Sequence, residues 1–118
     1  MGKFPAAAPE VVASAARTTS GNSGALPSDS ISVLNLLVDV TAIGGTPTLD
    51  PTVEWSHDGV AFFPSDPPDA MAQLTAVSRA VKRFDVKGPQ YRIVWTIGGG
   101  TPSLTFSVNR YADLGRVE

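Results

Sequence analysis

A chain of 118 residues has room for one domain, and 42% apolar residues can fill one core. Charged residues are only 17% and the net charge is −2, which argues against general nucleic-acid affinity, since that needs a basic surface. No apolar run approaches the ~18 residues of a membrane-spanning helix, and the absence of cysteine excludes a disulfide framework and a thiolate metal site.

A small extracellular domain often carries disulfides, so a cysteine-free chain fits assembly in a reducing cytoplasm. The opening "MGKFPAAAPEVVASAA" has one lysine and a broken apolar region. It makes a poor signal peptide, with "ASA" before alanine as its one cleavage-site trait. Eleven glycines and ten prolines mean that the chain turns often.

Residues 1–10 lack periodicity and read as an extended arm. Val11 to Thr18 fits a first strand, and "GNSGALPSDS" is a loop by composition. In "ISVLNLLVDVTAI", Leu34, Leu36, Val38 and Val40 alternate with Asn35, Leu37, Asp39 and Thr41, so the first set faces a core. "GGTPT" then reverses the chain. The next strand runs through Val53 and Trp55, with Pro51 restricting its start to an edge or a bulge. His57-Asp58-Gly59 is a tight-turn signal, and Val60–Phe63 begins the return strand.

Residues 64–80 support two readings. Met71, Leu74, Val77 and Val81 fit one helical face, whereas Leu74 to Val77 also fits a short strand. The all-β surroundings favour strand or loop. Further on, Phe84 and Val86 share a side. Tyr91, Ile93, Trp95 and Ile97 alternate with Arg92, Val94 and Thr96, and Leu104, Phe106 and Val108 with Thr105, Ser107 and Asn109. Residues 111–118 form a polar tail.

The expected fold is all-β: a single antiparallel β-sandwich of jelly-roll or Ig-like kind, residues 11–110, with strands near 11–18, 31–42, 49–56, 60–64, 80–87, 90–98 and 103–110. The expected core is Leu34, Leu36, Val38, Val40, Val53, Trp55, Phe84, Val86, Ile93, Trp95, Leu104, Phe106 and Val108. "IGGTPTL" at 43–49 returns as "IGGGTPSL" at 97–104. Each copy reads as a turn joining two consecutive strands, with glycines at the tip and Thr-Pro stiffening the outgoing leg.

Catalytic constellations are missing. His57 is the one histidine and sits in a turn, where it is exposed; a metal site needs three or four convergent donors. No serine lies in a nucleophile elbow, and "GGGTPS" lacks the lysine of a phosphate-binding loop. Asp50, Glu54 and Asp58 lack the dense oxygen spacing of a calcium site. Asp66-Pro67-Pro68-Asp69 reads as a rigid surface corner. The expectation is no enzyme, no cofactor and no metal.

Charge order is more informative. Between Arg17 and Arg79 there is no lysine or arginine, while seven acids occur: Asp29, Asp39, Asp50, Glu54, Asp58, Asp66 and Asp69. Then Arg79, Lys82, Arg83, Lys87 and Arg92 arrive close together, with only Asp85 between them. Such a stripe reads as a solvated face, as a single-strand-binding surface interleaved with Phe84, Tyr91 and Trp95, or as a patch that meets an acidic neighbour. Alternation places Tyr91 and Trp95 on the face opposite Arg92, in the core, which weighs against nucleic acid. The third reading makes those five basic residues subunit or lattice contacts in a closed ring.

The order of phrases "LNLLVDVTAIGGTPTLDPTVEWSHDG" and "VKRFDVKGPQYRIVWTIGGGTPSLTFSV" resembles small structural proteins encoded among the head and tail genes of tailed bacteriophages. The likeness runs over most of residues 11–108. It implies a non-enzymatic virion protein, best matched to capsid decoration: β-rich, homotrimeric, bound to the major capsid protein on the head surface and assembled in the host cytoplasm. It also implies that the N-terminal arm, with Lys3, Phe4, Pro5 and Pro9, grips the capsid lattice. "VEWSHDG" and "YRIVW" are similar to discoidin-like carbohydrate-binding sandwiches, which implies the alternative of a glycan-binding or tail-associated module.

Overall fold

The computed structural model describes residues 10–28 and 31–112. The strands are β1 (Glu10–Arg17), β2 (Gly21–Asn22), β3 (Leu26–Pro27), β4 (Val33–Ser56), β5 (Phe63–Ala70), β6 (Ser78–Asp85) and β7 (Gln90–Ala112). All seven belong to one antiparallel sheet. β4 and β7 are long, 24 and 23 residues, and pair with each other along almost their whole length. β1, β2 and β3 follow the outer edge of β7 in succession, and β5 and β6 follow the outer edge of β4.

The repeated phrases are therefore not hairpin tips. They lie in mid-strand and pair with each other, Ile43 opposite Leu104 and Leu49 opposite Ile97. The same vocabulary that serves a turn serves a place where two long strands must bend together. Two register shifts mark it. Between Val40 and Ala42, β4 advances two residues while β7 moves one; between Gly44 and Thr46, β4 advances two while β7 moves three. Each strand thus holds one extra residue, and the two bulges cancel in the pairing beyond them. Each also switches its buried parity. On β4 the buried set runs Leu34, Leu36, Val38, Val40 and then Leu49, Val53, Trp55; on β7 it runs Tyr91, Ile93, Trp95 and then Leu104, Phe106, Val108. The extra residue keeps one face of the sheet inward across the bend.

That bend is a fold-over. Trp95 and Phe106 are eleven residues apart on β7, about 36 Å along a straight strand. Their rings meet edge-on with centroids 5.5 Å apart. One cluster of buried side chains, drawn from both ends of β4 and β7, fills the space between. Gly45 (φ 69°) and Gly99 (φ 100°) let the two paired backbones approach closely at this bend.

Twelve of the thirteen expected core residues are buried; Val86 is only partly so, because it lies just past the end of β6. Val12, Leu49, Met71, Leu74 and Tyr91 complete the core. The segment 64–80 has no helix: β5 continues to Ala70, and Leu74 makes an isolated bridge with Leu49. The return strand expected at 60–64 starts instead at Phe63, since a wider loop replaces the tight turn. Pro51 sits inside β4, opposite Trp95. Its carbonyl accepts from the Met71 N–H, so its missing N–H faces the side of β4 just past the end of β5, where the ladder makes no demand on it. Glu10 pairs with Asn109, so β1 begins within the segment read as an arm. The rest of that arm, with Lys3, Phe4, Pro5 and Pro9, lies outside the described residues, as does the tail beyond Ala112, which β7 enters.

Candidate functional site

The five basic residues do not form a stripe. Arg79 lies opposite Asp39 across β6 and β4, and its Nε meets Asp39 Oδ1 at 3.3 Å. Arg92 lies opposite Glu54 across β7 and β4; its guanidinium reaches Glu54 Oε1 at 2.6 Å and stacks 4.6 Å from the Phe62 ring. Lys87 donates to Asp69 Oδ2 at 2.8 Å and lies over the Trp55 indole. Lys82 donates to the Ala70 carbonyl and packs over Phe84. Arg83 faces Asn35 in the β4 ladder.

The separation of acids from bases along the chain thus has an intramolecular cause. Acids of β4 and β5 meet bases of β6, of the β6–β7 connection and of β7, because the folded sheet brings distant segments side by side. Three of the seven acids, Asp39, Glu54 and Asp69, are partnered in this way. Nor do Asp50, Glu54 and Asp58 converge. Asp50 accepts from the Gln73 amide, Glu54 holds Arg92, and Asp58 organises its own loop. Among the described residues no group of three or more His, Cys, Asp or Glu is arranged to hold a metal ion.

The loop after β4 is tightly built. Ser56 Oγ accepts from the N–H of Asp58 and Gly59, and Asp58 Oδ1 accepts from the N–H of Val60 and Ala61. The Ala61 and Val60 N–H groups, then the Ser56 hydroxyl, hold the Asp58 carboxyl below its ordinary range. The loop presents Val60, 84% exposed, and an exposed His57 stacked on Phe63 at 5.6 Å.

Asp69 is held by a cation, an indole and a hydroxyl at once. Burial pushes its pKa up, but the Lys87 ammonium, the Trp55 indole N–H and the Ser65 hydroxyl together hold it below the ordinary value of 3.8. The indole donates at 2.8 Å, so a fully buried tryptophan has its one polar group satisfied. A carboxyl with a depressed folded pKa stabilises the fold above its unfolded pKa, and that contribution is lost as pH falls through the folded value. Asp69→Asn keeps an acceptor for the indole and removes the charge. Its melting temperature should lie below the parent's at neutral pH, and the gap should close in acid below pH 3.8. A gap that stays constant from pH 7 to pH 2 would show that the ionised form adds nothing. Asp58 leaves some acid sensitivity in both proteins.

Sequence reasoning missed Arg17. Its guanidinium lies 4.5 Å from the Phe106 ring centroid and 5.1 Å from that of Trp95, and donates to the carbonyls of Ala13, Ala15 and Phe106. It caps the core where the sheet folds over. Nothing in the local pattern of β1 marks this, because its partners are 78 and 89 residues away.

An open groove of about 300 Å³ lies between β4 and the start of β6, lined by Asp39, Val40, Thr41, Val77, Ser78 and Arg79. Around the surface, Ile43, Val60, Phe63, Val77 and Val81 are exposed apolar side chains. No protein-family model, no curated protein and no solved structure matches the chain.

Proposed function

We propose that this is a non-enzymatic structural protein of a phage virion, a capsid decoration protein that binds the outer surface of the head as a homo-oligomer, a trimer. In this reading the two halves of the doubled sheet face each other as a β-sandwich of jelly-roll or Ig-like kind. One observation carries the reading furthest: the ionic groups bind the strands of one chain to each other, while the solvent side carries Val60, Phe63, Val77 and Val81. A surface that offers apolar groups and, among the described residues, no cluster of metal-ligating side chains suits contacts with other subunits better than it suits metal chemistry. The resemblance to phage head and tail proteins supplies the partner. The charge argument for a ring drops out, since Arg79, Lys87 and Arg92 already have acids within the chain.

Light scattering and co-sedimentation with purified heads test the proposal. The full chain should have the mass of a trimer and pellet with heads. Removing residues 1–9 should leave the melting temperature unchanged and weaken co-sedimentation. A protein that remains monomeric at high concentration and stays in the supernatant sinks the reading.

The alternative, a glycan-binding module, needs an exposed aromatic platform. Trp55 and Trp95 are 0% and 7% exposed, so neither supplies one. Phe63 with His57 is the pair that favours this alternative, and loss of glycan-array binding in Phe63→Ala is its test.

A further inference from the structure

We propose that Asp58-Gly59 is a latent self-modification site, a pair able to close into a succinimide, which the fold holds shut through the Ser56 hydroxyl. An aspartate before glycine is the pair at which a free chain cyclises most readily, because glycine sets no Cβ beside the attacking nitrogen and lets the backbone turn. The carboxyl reacts in its protonated form. The Gly59 nitrogen loses its proton and bonds to Asp58 Cγ, and the carboxyl hydroxyl leaves with that proton as water. A water molecule then opens the ring at either carbonyl. One opening restores aspartate. The other yields isoaspartate, in which the main chain runs through the former side-chain carbons. The net change is an isomerisation, with nothing oxidised or reduced. Among the described residues no other aspartate precedes glycine. Asp50 and Asp66 precede proline, which has no N–H to give, and Asp39 and Asp85 precede valine, whose branched Cβ crowds the nitrogen.

Both reacting groups are occupied in the fold. The nucleophile is the Gly59 nitrogen. Its N–H donates to Ser56 Oγ at 2.8 Å, and Ser56 is fully buried, so the proton that must leave is kept from water. The electrophile is the Asp58 carboxyl. Its Oδ1 accepts from the Ala61 N–H at 3.0 Å, the Val60 N–H at 2.9 Å and the Ser56 hydroxyl at 3.1 Å. These donors favour the ionised carboxyl, and a carboxylate is a poorer electrophile than the acid. The glycine is also seated: its φ is 78°, and the place of a Cβ lies 2.7 Å from Gln90 Oε1. Ser56 alone touches both partners, accepting from the nitrogen and donating to the carboxyl.

Closure would remake the loop. Isoaspartate lengthens the main chain between residues 58 and 59 and moves the carboxyl to a different carbon, so its bonds to the Val60 and Ala61 N–H groups are lost. Those bonds set the turn that presents Val60 and leads into Phe63. A serine two residues before the aspartate therefore keeps this exposed loop in one covalent form. The inference goes beyond the virion reading and does not require it.

The test ages the full chain at neutral pH, folded and in urea, and measures succinimide plus isoaspartate at residue 58 by mass spectrometry with electron-transfer fragmentation. The folded parent should convert at least about tenfold more slowly than the parent in urea, because closure needs a local opening. Folded Ser56→Ala should convert about threefold to tenfold faster than the folded parent, the effect of one lost hydrogen bond. Amide hydrogen exchange by NMR should show its Gly59 amide losing protection while those of Val60 and Ala61 keep theirs. Asp58→Asn retains Ser56 and an acceptor at Oδ1, and closes with loss of ammonia, so it reads the same step should Ser56→Ala fail to fold. It should deamidate at least about tenfold more slowly folded than in urea. The proposal fails if the parent or Asp58→Asn reacts as fast folded as in urea, or if folded Ser56→Ala converts no faster than the parent. It fails equally if the Val60 and Ala61 amides of Ser56→Ala lose protection together with Gly59, which would make Ser56 a general support of the loop.

Discussion

Replacing Gly99 with alanine should destabilise the protein by at least about 3 kcal/mol, a large part of the ~5–15 kcal/mol that holds a domain of this size together. Gly99 has a φ of 100°, which L-residues rarely adopt, and a Cβ there would overlap the carbonyl oxygen of Thr46 on the partner strand. Gly45 is its counterpart on β4: φ is 69°, and its Cβ would overlap the backbone of Thr101. Both obstacles are backbone, so neither can be relieved by a side-chain rotation. Two other glycines separate the effects. Gly24 has a φ of 78° with nothing within 4 Å of its Cβ position, so Gly24→Ala should cost only about 1–2 kcal/mol of conformational strain. Gly44 has ordinary φ and meets only the Ser103 Cβ at 3.4 Å, so Gly44→Ala should be nearly neutral. Urea denaturation of the four variants measures the ranking. Equal midpoints for Gly99→Ala and Gly44→Ala would show that the two backbones do not approach at the bend as described.

Phe106→Ala should cost about 3–5 kcal/mol, the range for deleting a buried aromatic. Phe106 is 1% exposed and fills the inside of the fold-over, edge-on to Trp95 and under Arg17. Its loss opens a cavity and strips one ring from the Arg17 guanidinium, which burial already pushes below its ordinary pKa. Arg17→Met should therefore cost less in the Phe106→Ala background than in the parent, by about 0.5–1 kcal/mol for the lost ring–cation contact. Tryptophan emission should move to the red as water reaches Trp95. A Phe106→Ala protein that melts within a few degrees of the parent would place the ring outside the core.

How the candidate surfaces arise was only partly legible. The basic residues were visible, but their partners were not. Asp39 and Arg79 are forty residues apart, and Glu54 and Arg92 thirty-eight; only strand register puts each pair face to face. That β6 pairs with β4 alone among the described residues was also invisible, because whether a strand has one neighbour or two depends on where other segments run. Asp69 read as part of a rigid corner, yet it serves as acceptor for a buried indole.

Alternation along the chain was enough to determine that the protein is all-β and which side chains of its clearest strands are inside. Apolar residues at every second position can be buried only if the backbone is extended, and this holds whatever the neighbours are. It also located Leu34 to Val40, Val53 with Trp55, and Leu104 to Val108 in the core. Tertiary structure alone decided what the glycine–threonine–proline phrases do. A Gly-rich segment relaxes steric limits without choosing between a reversal and a bend. Here each phrase found the other across a strand pair. Both backbones stay paired through the bend and Trp95 meets Phe106 inside it, so two expected turns became the single fold line of one sheet.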